Sequence, residues 1–524
     1  MMKPGNRLKI IFIITFLLPW IIVSQSKDYS LTVNTHKIIS SYDKPMLLGV
    51  NAGVFYEESY FMDLDFLSYL RQLNPGIIRI PGGSWSNELY WNGNRVRISE
   101  ESYISAEDWK RIKEEGGNPI KSGFDMTRYK DGKWDVDYSG YAPGFRIVDN
   151  EHHLSDFHGF TDVLFLHKFI HSFGAEAMVT VNVGTGTVEM AVEWVKWVKQ
   201  REFFARDAFD VKYWELGNEL DGHWETGYIL PDGSKMNAKE YVRRYKLFTT
   251  AMKKADPEIK VGGSAASNMS LPFIEELIKD QDAPIDFISF HAYPSKDKDT
   301  CFVTMANHAA EINAAVARIK GWIAKYRPDQ KDAIEIALTE WNIKVKEDMT
   351  TVDLTNTLWS AVMLGEIAGS GIDIAIQWDL FSTTETGGHG LFNPKDPEMR
   401  PRSQYWAVYL WSRYMGNNLV ETKLNTPDFV RAYTTTDEKF VSVMIINGSK
   451  DKPVKLRLEL PGTARKMQAQ EISYSSDQFE LDAKTLLPVK SKKPSEKMVL
   501  LKKKKEITIS PYSIKILRYP IAKQ

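Results

Sequence analysis

The stretch "YWELGNEL", residues 213–220, resembles a buried strand that ends abruptly on polar residues. Its aromatic and aliphatic side chains suit a strand covered on both faces, whereas Asn218 and Glu219 do not suit a core. Closed barrels of parallel strands keep their reactive groups at the carboxyl ends of those strands. Glu219 is therefore either part of an active-site rim or simply the first solvated residue of the next loop.

Seven further apolar runs resemble this one and alternate with helical patterns. The eight predicted strands span residues 46–53, 76–83, 175–184, 211–219, 259–265, 285–293, 334–342 and 372–381. Gly174, Gly369 and Gly371 stand where the intervening helices should stop. Eight strand–helix alternations predict an α/β fold, a (β/α)8 TIM barrel, over residues 45–415.

The connection between the second and third predicted strands, residues 84–157, is much longer than the others. An insertion of this size at the carboxyl face of a barrel commonly builds or covers a site. Trp85, Tyr90, Trp91 and Trp134 could form a platform for a sugar, or they could pack the insertion itself. Trp85, next to the second strand, is the candidate for substrate binding.

The pattern changes after about residue 416. Hydrophobic residues there alternate with period two between turn residues, which predicts a C-terminal antiparallel β-sandwich domain. Residues 29–41 also resemble strands and can join this sheet, because chain termini often lie close together. The predicted sandwich therefore comprises residues 27–44 and 416–524.

Bulk properties exclude some classes of protein and leave others open. The chain has 524 residues, which suggests two or three domains, and its net charge of -1 gives no support to nucleic-acid binding. Its one cysteine, Cys301, excludes an internal disulfide. Eight lysines between Lys490 and Lys505 could bind an anionic polymer, but a solvated strand edge is the favoured interpretation. The oligomeric state is left open.

The N-terminus has the order of a secretory signal peptide. Lys3, Arg7 and Lys9 precede a 14-residue apolar run, residues 10–23, and small residues follow. The run contains a proline and is short of the roughly 20 residues of a membrane span. We expect cleavage near residue 26, a secreted or periplasmic protein, and no membrane span afterwards.

A second carboxylate at a strand end indicates a chemical role for Glu219. Glu340, in "IALTEWN", ends the seventh predicted strand as Glu219 ends the fourth, so both should point into the same mouth of the barrel. Two facing carboxylates are what glycoside hydrolysis requires. One, held protonated at a raised pKa, donates a proton to the leaving oxygen, and the other stays ionised and attacks the anomeric carbon.

Other strand ends supply supporting groups. Arg79, at the end of the second strand, could hold a carboxylate ionised or form a salt bridge in the barrel. His291 and Tyr293, at the end of the sixth strand, could hydrogen-bond the two glutamates, although His291 could equally be a core histidine. Trp378 ends the eighth strand and could be the floor of a sugar subsite or part of the barrel core.

Three further polar residues complete the candidates. Asn218 could bind a sugar hydroxyl close to the reacting carbon, and Asn51, in the first-strand motif, is a further candidate for substrate binding. Glu215 shares the strand parity of Glu219 but lies deeper, and we expect it to be an internal hydrogen-bond anchor.

Four motifs together, "WELGNELDGHWE", "VNVGTGTVEMAVEWVKW", "RIPGG" and "TEWN", resemble those of clan A glycoside hydrolases, with the nearest likeness to family 51. The best-known members of that family are α-L-arabinofuranosidases. The resemblance implies that Glu219 is the acid/base and Glu340 the nucleophile, with Asn218 beside the acid/base and Arg79 and His291 in support. It implies the same supporting position for Tyr293. It further implies a retaining reaction on carbohydrate and no cofactor.

Two departures from the family pattern concern the sugar. The family usually has a carboxylate in the first-strand motif, whereas "GVNAGVF" has none and Glu57 and Glu58 come later. The family usually has Asn after "PGG", where this chain has Ser84. An endo- or exo-acting glycanase with another sugar specificity therefore remains an alternative to an arabinofuranosidase.

Two other classes stay open. A catalytically dead carbohydrate-binding protein could reuse the barrel, although the presence of both glutamates favours an enzyme. A metal-dependent hydrolase needs converging ligands at strand ends, whereas the histidine cluster His152, His153 and His158 falls inside the insertion. We therefore expect no metal.

Overall fold

The computed structural model describes most of the chain outside the N-terminus and the insertion. The described residues are 29–87, 89, 91, 129–130, 133–134, 161, 163–184, 186–201, 209–225, 227–230, 234–269, 271–294, 301–344, 351–382, 388–460, 466–502 and 504–521. The expected signal peptide, the histidines of the insertion, Tyr90 and the side chain of Trp134 lie outside this set.

Eight parallel strands close into a barrel, which confirms the fold class expected from the sequence. The first strand of the chain, β1 (Ser30–Ser41), belongs to a second sheet. The barrel strands are β2 (Gly49–Asn51), β3 (Ile77–Ile80), β6 (Glu176–Val181), β7 (Tyr213–Leu216), β8 (Lys260–Ala266), β9 (Phe287–Ala292), β10 (Glu335–Trp341) and β11 (Ile374–Gln377). Between β3 and β6 lie the short paired strands β4 (Tyr129–Lys130) and β5 (Lys133–Trp134). The barrel strands are short and almost wholly buried, as near-continuous apolar runs predict.

Helices follow the barrel strands and cover the barrel. They are α1 (Glu58–Phe61), α2 (Leu64–Leu73), α3 (Val163–Ser172), α4 (Val188–Arg201), α5 (Ala238–Ala255), α6 (Pro272–Lys279), α7 (Phe302–Ala309), α8 (Glu311–Tyr326), α9 (Leu354–Ser370) and α10 (Ser403–Tyr414). Gly371 takes a left-handed φ of 80° immediately after α9, as expected of a residue that ends a helix. Gly369 was expected to do the same, but it lies inside α9 because Gly371 is the residue that adopts the left-handed conformation.

The C-terminal strands form a nine-stranded sheet that includes β1. They are β12 (Asn418–Asn425), β13 (Val430–Thr436), β14 (Phe440–Asn447), β15 (Val454–Glu459), β16 (Lys466–Tyr474), β19 (Ser495–Lys502), β20 (Lys504–Ile509) and β21 (Ser513–Pro520), with β17 (Phe479–Leu481) and β18 (Pro488–Ser491) as a separate hairpin. β1 pairs antiparallel with β12 and parallel with β15, and the other ladders are antiparallel. The sheet encloses an apolar core of its own, so it forms the expected sandwich as one continuous sheet.

The outer face of this sheet shares the main hydrophobic core with the barrel helices. Tyr433 of β13 lies directly against Gly365 of α9, where an added Cβ would come within 2.4 Å of the tyrosine ring. The Tyr433 hydroxyl donates to Oε1 of Glu366 at 2.7 Å. The two units therefore pack through a buried contact that combines apolar area with an oriented hydrogen bond.

Four of the eight lysines of the run lie on the edges of the sheet. β19 and β20 are the two outermost strands of the nine; β19 carries Lys497 and Lys502, and β20 carries Lys504 and Lys505, whereas Lys490 lies in β18 of the separate hairpin. Lysines on unpaired edges oppose pairing with a second chain.

Among the described residues, no helix is long and apolar enough to cross a membrane.

Candidate active site

Glu340 extends from β10 into the mouth of the barrel, where two donors hold its carboxylate. Nη1 of Arg79 donates to Oε1 at 2.9 Å, and the Tyr293 hydroxyl donates to Oε2 at 2.7 Å. The side chain of Arg79 is fully buried, so its charge is poorly screened by water. Donors of this kind favour an ionised carboxylate, which is the form that can attack an electrophilic carbon.

Glu219 follows β7 and faces Glu340. Its backbone takes a left-handed φ of 45°, just after Gly217 at 78°, and its N–H donates to the Ala265 carbonyl at 3.0 Å. A left-handed non-glycine residue is strained by about 1–2 kcal/mol, and such strain is concentrated at functional sites. Nδ1 of His291 lies 2.7 Å from Oε1, and Trp224 donates its indole N–H to Oε2 at 2.9 Å.

The two glutamates are close enough to act on one atom. An oxygen of Glu219, a ring nitrogen of His291 and an oxygen of Glu340 all lie within 4.8 Å of one another. His291 itself is 3.6 Å from Oε2 of Glu340. A separation near 5 Å leaves no room for a water between the carboxylates and is typical of retaining glycosidases.

The electrostatics place a proton between His291 and Glu219. Burial lowers the pKa of His291, but the charge of Glu340 and the hydrogen bond with Glu219 outweigh burial and raise it above the usual value. Burial raises the pKa of Glu219, but the hydrogen bonds from His291 and Trp224 have the larger, opposite effect. The pKa of Glu219 therefore lies below its usual value. The opposite shifts favour the proton of the pair on the imidazole, so the raised pKa that the sequence predicted for the acid/base is found at His291 rather than at Glu219.

Burial also shifts the pKa values of Glu340 and Tyr293. Burial raises the pKa of Glu340 above its usual value, although the charges of His291 and Arg79 oppose the shift. Burial and the charge of Glu340 raise the pKa of Tyr293 well above its usual value, so the phenol stays a hydrogen-bond donor.

Arg79 joins the predicted residues into one network. Besides Glu340, it donates through Nε to Glu215 at 2.7 Å and through Nη2 to Asn218 at 2.8 Å. It also donates through Nη1 to Asn51 at 2.9 Å. Asn51 is fully buried and gives its amide protons to backbone carbonyls, so the structure places it behind Arg79 rather than at the substrate.

Glu215 lies at the bottom of this network, in the position expected of an internal anchor. Its side chain is fully buried, and Thr180 donates to the same oxygen as Arg79, at 2.8 Å. Removing one partner of a buried ion pair leaves an uncompensated charge and costs about 3–5 kcal/mol. We expect Glu215→Ala to lower the free energy of unfolding by that amount, as measured by urea denaturation.

A matched control is Glu240→Ala on α5. Glu240 pairs with the exposed Arg243 and the half-buried Arg244 at the start of the helix, where solvent-facing pairs contribute about 1 kcal/mol or less. Equal losses of stability in the two variants would show that Glu215 is not the anchor of the network.

A second buried network lies behind Asn218 and was not expected from the sequence. Glu225 is fully buried and accepts from Ser84 at 2.6 Å, from Asn87 at 2.7 Å and from Nδ2 of Asn218 at 3.3 Å. Because Arg79 holds the amide oxygen and Glu225 holds one amide proton, the other amide proton of Asn218 is oriented. Ser84, the departure from the family pattern, thus serves this network.

The aromatic candidates differ in exposure. Trp378 is partly exposed beside Gly83, whose φ of 44° and lack of a Cβ allow the indole to approach, since a Cβ would lie 2.7 Å from it. Trp85 is only 7% exposed and packs on Phe55, with ring centroids 5.5 Å apart. Trp91 stacks on Trp194 of α4, at 5.5 Å. Trp378 can therefore meet a ligand, whereas Trp85 and Trp91 chiefly pack the wall.

Three side chains in the mouth of the barrel are also potential metal ligands. Within the described part of the chain, Glu219, His291 and Glu340 are the group whose ligand atoms are close enough to hold an ion. Arg79 already supplies a cation at Glu340, and His291 and Trp224 already occupy the oxygens of Glu219. These contacts suit proton transfer and nucleophilic attack better than metal coordination.

Comparisons with known proteins agree with this geometry. The family model of glycosyl hydrolases family 39 matches residues 212–353, a segment that contains both Glu219 and Glu340. A protein of Aspergillus clavatus described as a probable alpha-L-arabinofuranosidase C is 23% identical over 343 residues. That match covers 56% of this chain and 65% of the fungal protein, slightly less than two thirds of its length.

Solved structures share the whole fold. An alpha-L-arabinofuranosidase from Thermotoga maritima, in complex with arabinose, has a TM-score of 0.66 at 17% identity, over 94% of this chain and 100% of that chain. A xyloglucanase of glycoside hydrolase family 44 from Paenibacillus polymyxa has a TM-score of 0.61 at 13% identity, over 94% and 99%.

Together, the fold, the facing carboxylates and these matches define the class: the chain resembles the glycoside hydrolases of clan A. The particular likeness is to the α-L-arabinofuranosidases, which supply the sequence relative and structural neighbours that include family 51 enzymes. This resemblance agrees with the one carried by the sequence motifs.

Proposed function

We propose that this chain is a retaining glycoside hydrolase that acts on a plant or algal polysaccharide or oligosaccharide, as an α-L-arabinofuranosidase-like enzyme. The observation that carries the proposal is the separation of Glu219 and Glu340, whose nearest oxygens lie within 4.8 Å. The N-terminal pattern supports export to the periplasm or the medium, which fractionation of producing cells would test.

In the first step, Glu340 attacks the anomeric carbon as the bond to the leaving oxygen breaks. Arg79 and Tyr293 hold Glu340 ionised and aimed, and Glu219 gives the leaving oxygen its proton, drawn from the pair with His291. In the second step, Glu219 takes a proton from a water, which attacks the same carbon and releases Glu340. Asn218, with one oriented amide proton, can hold a sugar hydroxyl near that carbon.

The test is a hydrolysis screen of the mature protein on 4-nitrophenyl glycosides and polysaccharides, with Glu340→Ala beside it. Release from the α-L-arabinofuranoside, absent in the variant, is the expected result. Nuclear magnetic resonance of the first product should show that it keeps the anomeric configuration of the substrate. Absence of cleavage on every substrate, or an inverted product, would overturn the proposal.

A second candidate is a clan A glycanase with another sugar specificity. It is favoured by the first barrel strand, which brings no carboxylate to the mouth: Glu57 accepts from Ser59 at the start of α1, and Glu58 is exposed. In the same screen, release from a glucan or xylan but not from the arabinofuranoside would select this candidate.

The dependence of kcat/KM on pH should follow the ionisation of Glu340 and of the Glu219–His291 pair. Activity needs Glu340 ionised, so it falls as the pH falls through a pKa above the usual glutamate value. It also needs the proton of the Glu219 pair, so it falls as the pH rises through the raised pKa of His291. We expect a bell-shaped profile whose alkaline limb moves to lower pH in His291→Asn. An unchanged alkaline limb would show that His291 does not hold this proton.

A further inference from the structure

His389 lies in the mouth of the barrel, in the loop that follows β11, the eighth barrel strand. It belongs to the stretch "GHGLF", residues 388–392. Its ring packs on the ring of Tyr293, with centroids 5.5 Å apart, and Tyr293 donates to Glu340 at 2.7 Å. Both rings are partly exposed, so His389 continues the wall of the mouth next to the residue that holds Glu340.

Two amides fix the loop to the strand that carries Glu340. The backbone carbonyl of His389 accepts from Nδ2 of Asn342 at 3.2 Å and from Nε2 of Gln404 at 2.9 Å. Both amide side chains are buried, and Asn342 comes directly after β10, two residues beyond Glu340. Buried hydrogen bonds therefore set the position of His389 relative to Glu340.

The ring of His389 is neutral and offers an acceptor. Nε2 lies 2.9 Å from the Ile343 carbonyl, and since a carbonyl only accepts, Nε2 carries the proton. Burial of most of the ring lowers the pKa of His389 to about 4, so the ring stays neutral near neutral pH. Nδ1 is then an acceptor, and it has no hydrogen-bond partner among the described residues.

The exposed part of His389 belongs to its ring. Gly388 and Gly390 on either side are buried, and the carbonyl of His389 is occupied by the two amides. With Nε2 also occupied, Nδ1 is the polar atom that the ring has left for a ligand. A sugar bound over Glu340 lies against Tyr293, and His389 is the next side chain along that wall.

We propose that Nδ1 of His389 accepts a hydrogen bond from a hydroxyl group of the sugar bound over Glu340, and that the Ile343 carbonyl fixes the tautomer that this bond requires. His389 is thereby a specificity-determining residue, because a sugar without that hydroxyl leaves the nitrogen unpaired. A neutral nitrogen acceptor selects a hydroxyl rather than an ionised carboxylate, which only accepts. This assignment rests on the proposed glycosidase function.

The test combines two variants with two kinds of substrate. On the 4-nitrophenyl glycoside that the full chain cleaves fastest, His389→Phe should lower kcat/KM about 10- to 100-fold, because it keeps a ring against Tyr293 but has no acceptor. His389→Asn should stay within about fivefold of the wild type, since its amide oxygen can accept near the place of Nδ1. One monodeoxy analogue of that glycoside should be cleaved by the wild type and by His389→Phe at rates within about threefold, because neither pair can form the bond.

The order of the two variants separates this role from packing. If His389 served only to pack on Tyr293, His389→Asn would lose more activity than His389→Phe, because Phe keeps the ring and Asn does not. That order, equal losses in the two variants, or a loss that no monodeoxy analogue removes would overturn the assignment.

The control is His308→Phe, the same change on α7. His308 is half-buried, and its neighbour Asn307 accepts from Arg431 of the second sheet, so it lies away from the mouth. Its kcat/KM should stay within about twofold of the wild type. If Glu340→Ala is inactive while His389→Phe keeps full activity, only this inference fails. A wild type inert on every glycoside overturns the proposed function and this inference with it.

Discussion

Glu340→Ala is expected to abolish turnover, with kcat falling on the order of 10⁴- to 10⁶-fold on every substrate. In the proposed mechanism, the variant removes the atom that forms the covalent bond to the anomeric carbon. Arg79 and Tyr293, which now aim the carboxylate, would be left facing a cavity. The measurement is the steady-state release of 4-nitrophenol together with the product from the natural substrate.

Glu335→Ala is the matched control for this prediction. Glu335 begins the same strand, β10, and pairs with Lys260 at the opposite end of the barrel. It should keep wild-type activity. If azide is added to Glu340→Ala, it should attack in place of the missing carboxylate and yield a glycosyl azide of inverted configuration. Full activity in Glu340→Ala, or equal losses in both variants, would contradict the role of Glu340.

Glu219→Ala is the second large effect, and its size should depend on the leaving group. With a natural sugar as leaving group, the lost proton transfer should cost about 10²- to 10⁴-fold. With an aryl group that leaves without protonation, formation of the glycosyl-enzyme should continue and the intermediate should accumulate. A burst of phenol followed by slow turnover is the measurement that shows this behaviour.

Azide distinguishes the two glutamates. In Glu219→Ala, azide can enter where the carboxylate was, attack the glycosyl-enzyme and displace Glu340, so the glycosyl azide keeps the substrate configuration. His291 and Trp224 would line the entry, since both now contact Glu219. An inverted azide product from Glu219→Ala, or no restoration of activity by azide, would show that the roles are assigned wrongly.

The strand-end rule accounts for most of what could be predicted. Glu219, His291 and Glu340 each stand at the carboxyl end of an apolar run, and a closed barrel brings such ends together regardless of their distance in the chain. The alternation of side chains along a strand also placed Glu215 inside. These inferences needed only strand order and parity, which a single sequence carries.

The sequence could not predict how deeply a side chain on a strand is buried, or how the loops after the strands fold. Asn51 has the parity of an inward residue, but the sequence does not show that Arg79 covers it. Glu225 lies six residues after Glu219 in a loop, with no periodicity to indicate that it folds back under Asn218.

The place of β1 in the second sheet has a consequence for the order of folding during synthesis. β1 (Ser30–Ser41) is held between β12, which begins at Asn418, and β15, which begins at Val454. At about 5–20 residues per second, a ribosome needs roughly 20 to 75 seconds between finishing β1 and reaching β12. Until then β1 has neither neighbour, and Ile38 and Ile39, which remain about half exposed even in the finished sheet, are open to the solvent. The nascent barrel can close first, and the last hundred residues then complete the sheet around the first strand of the chain.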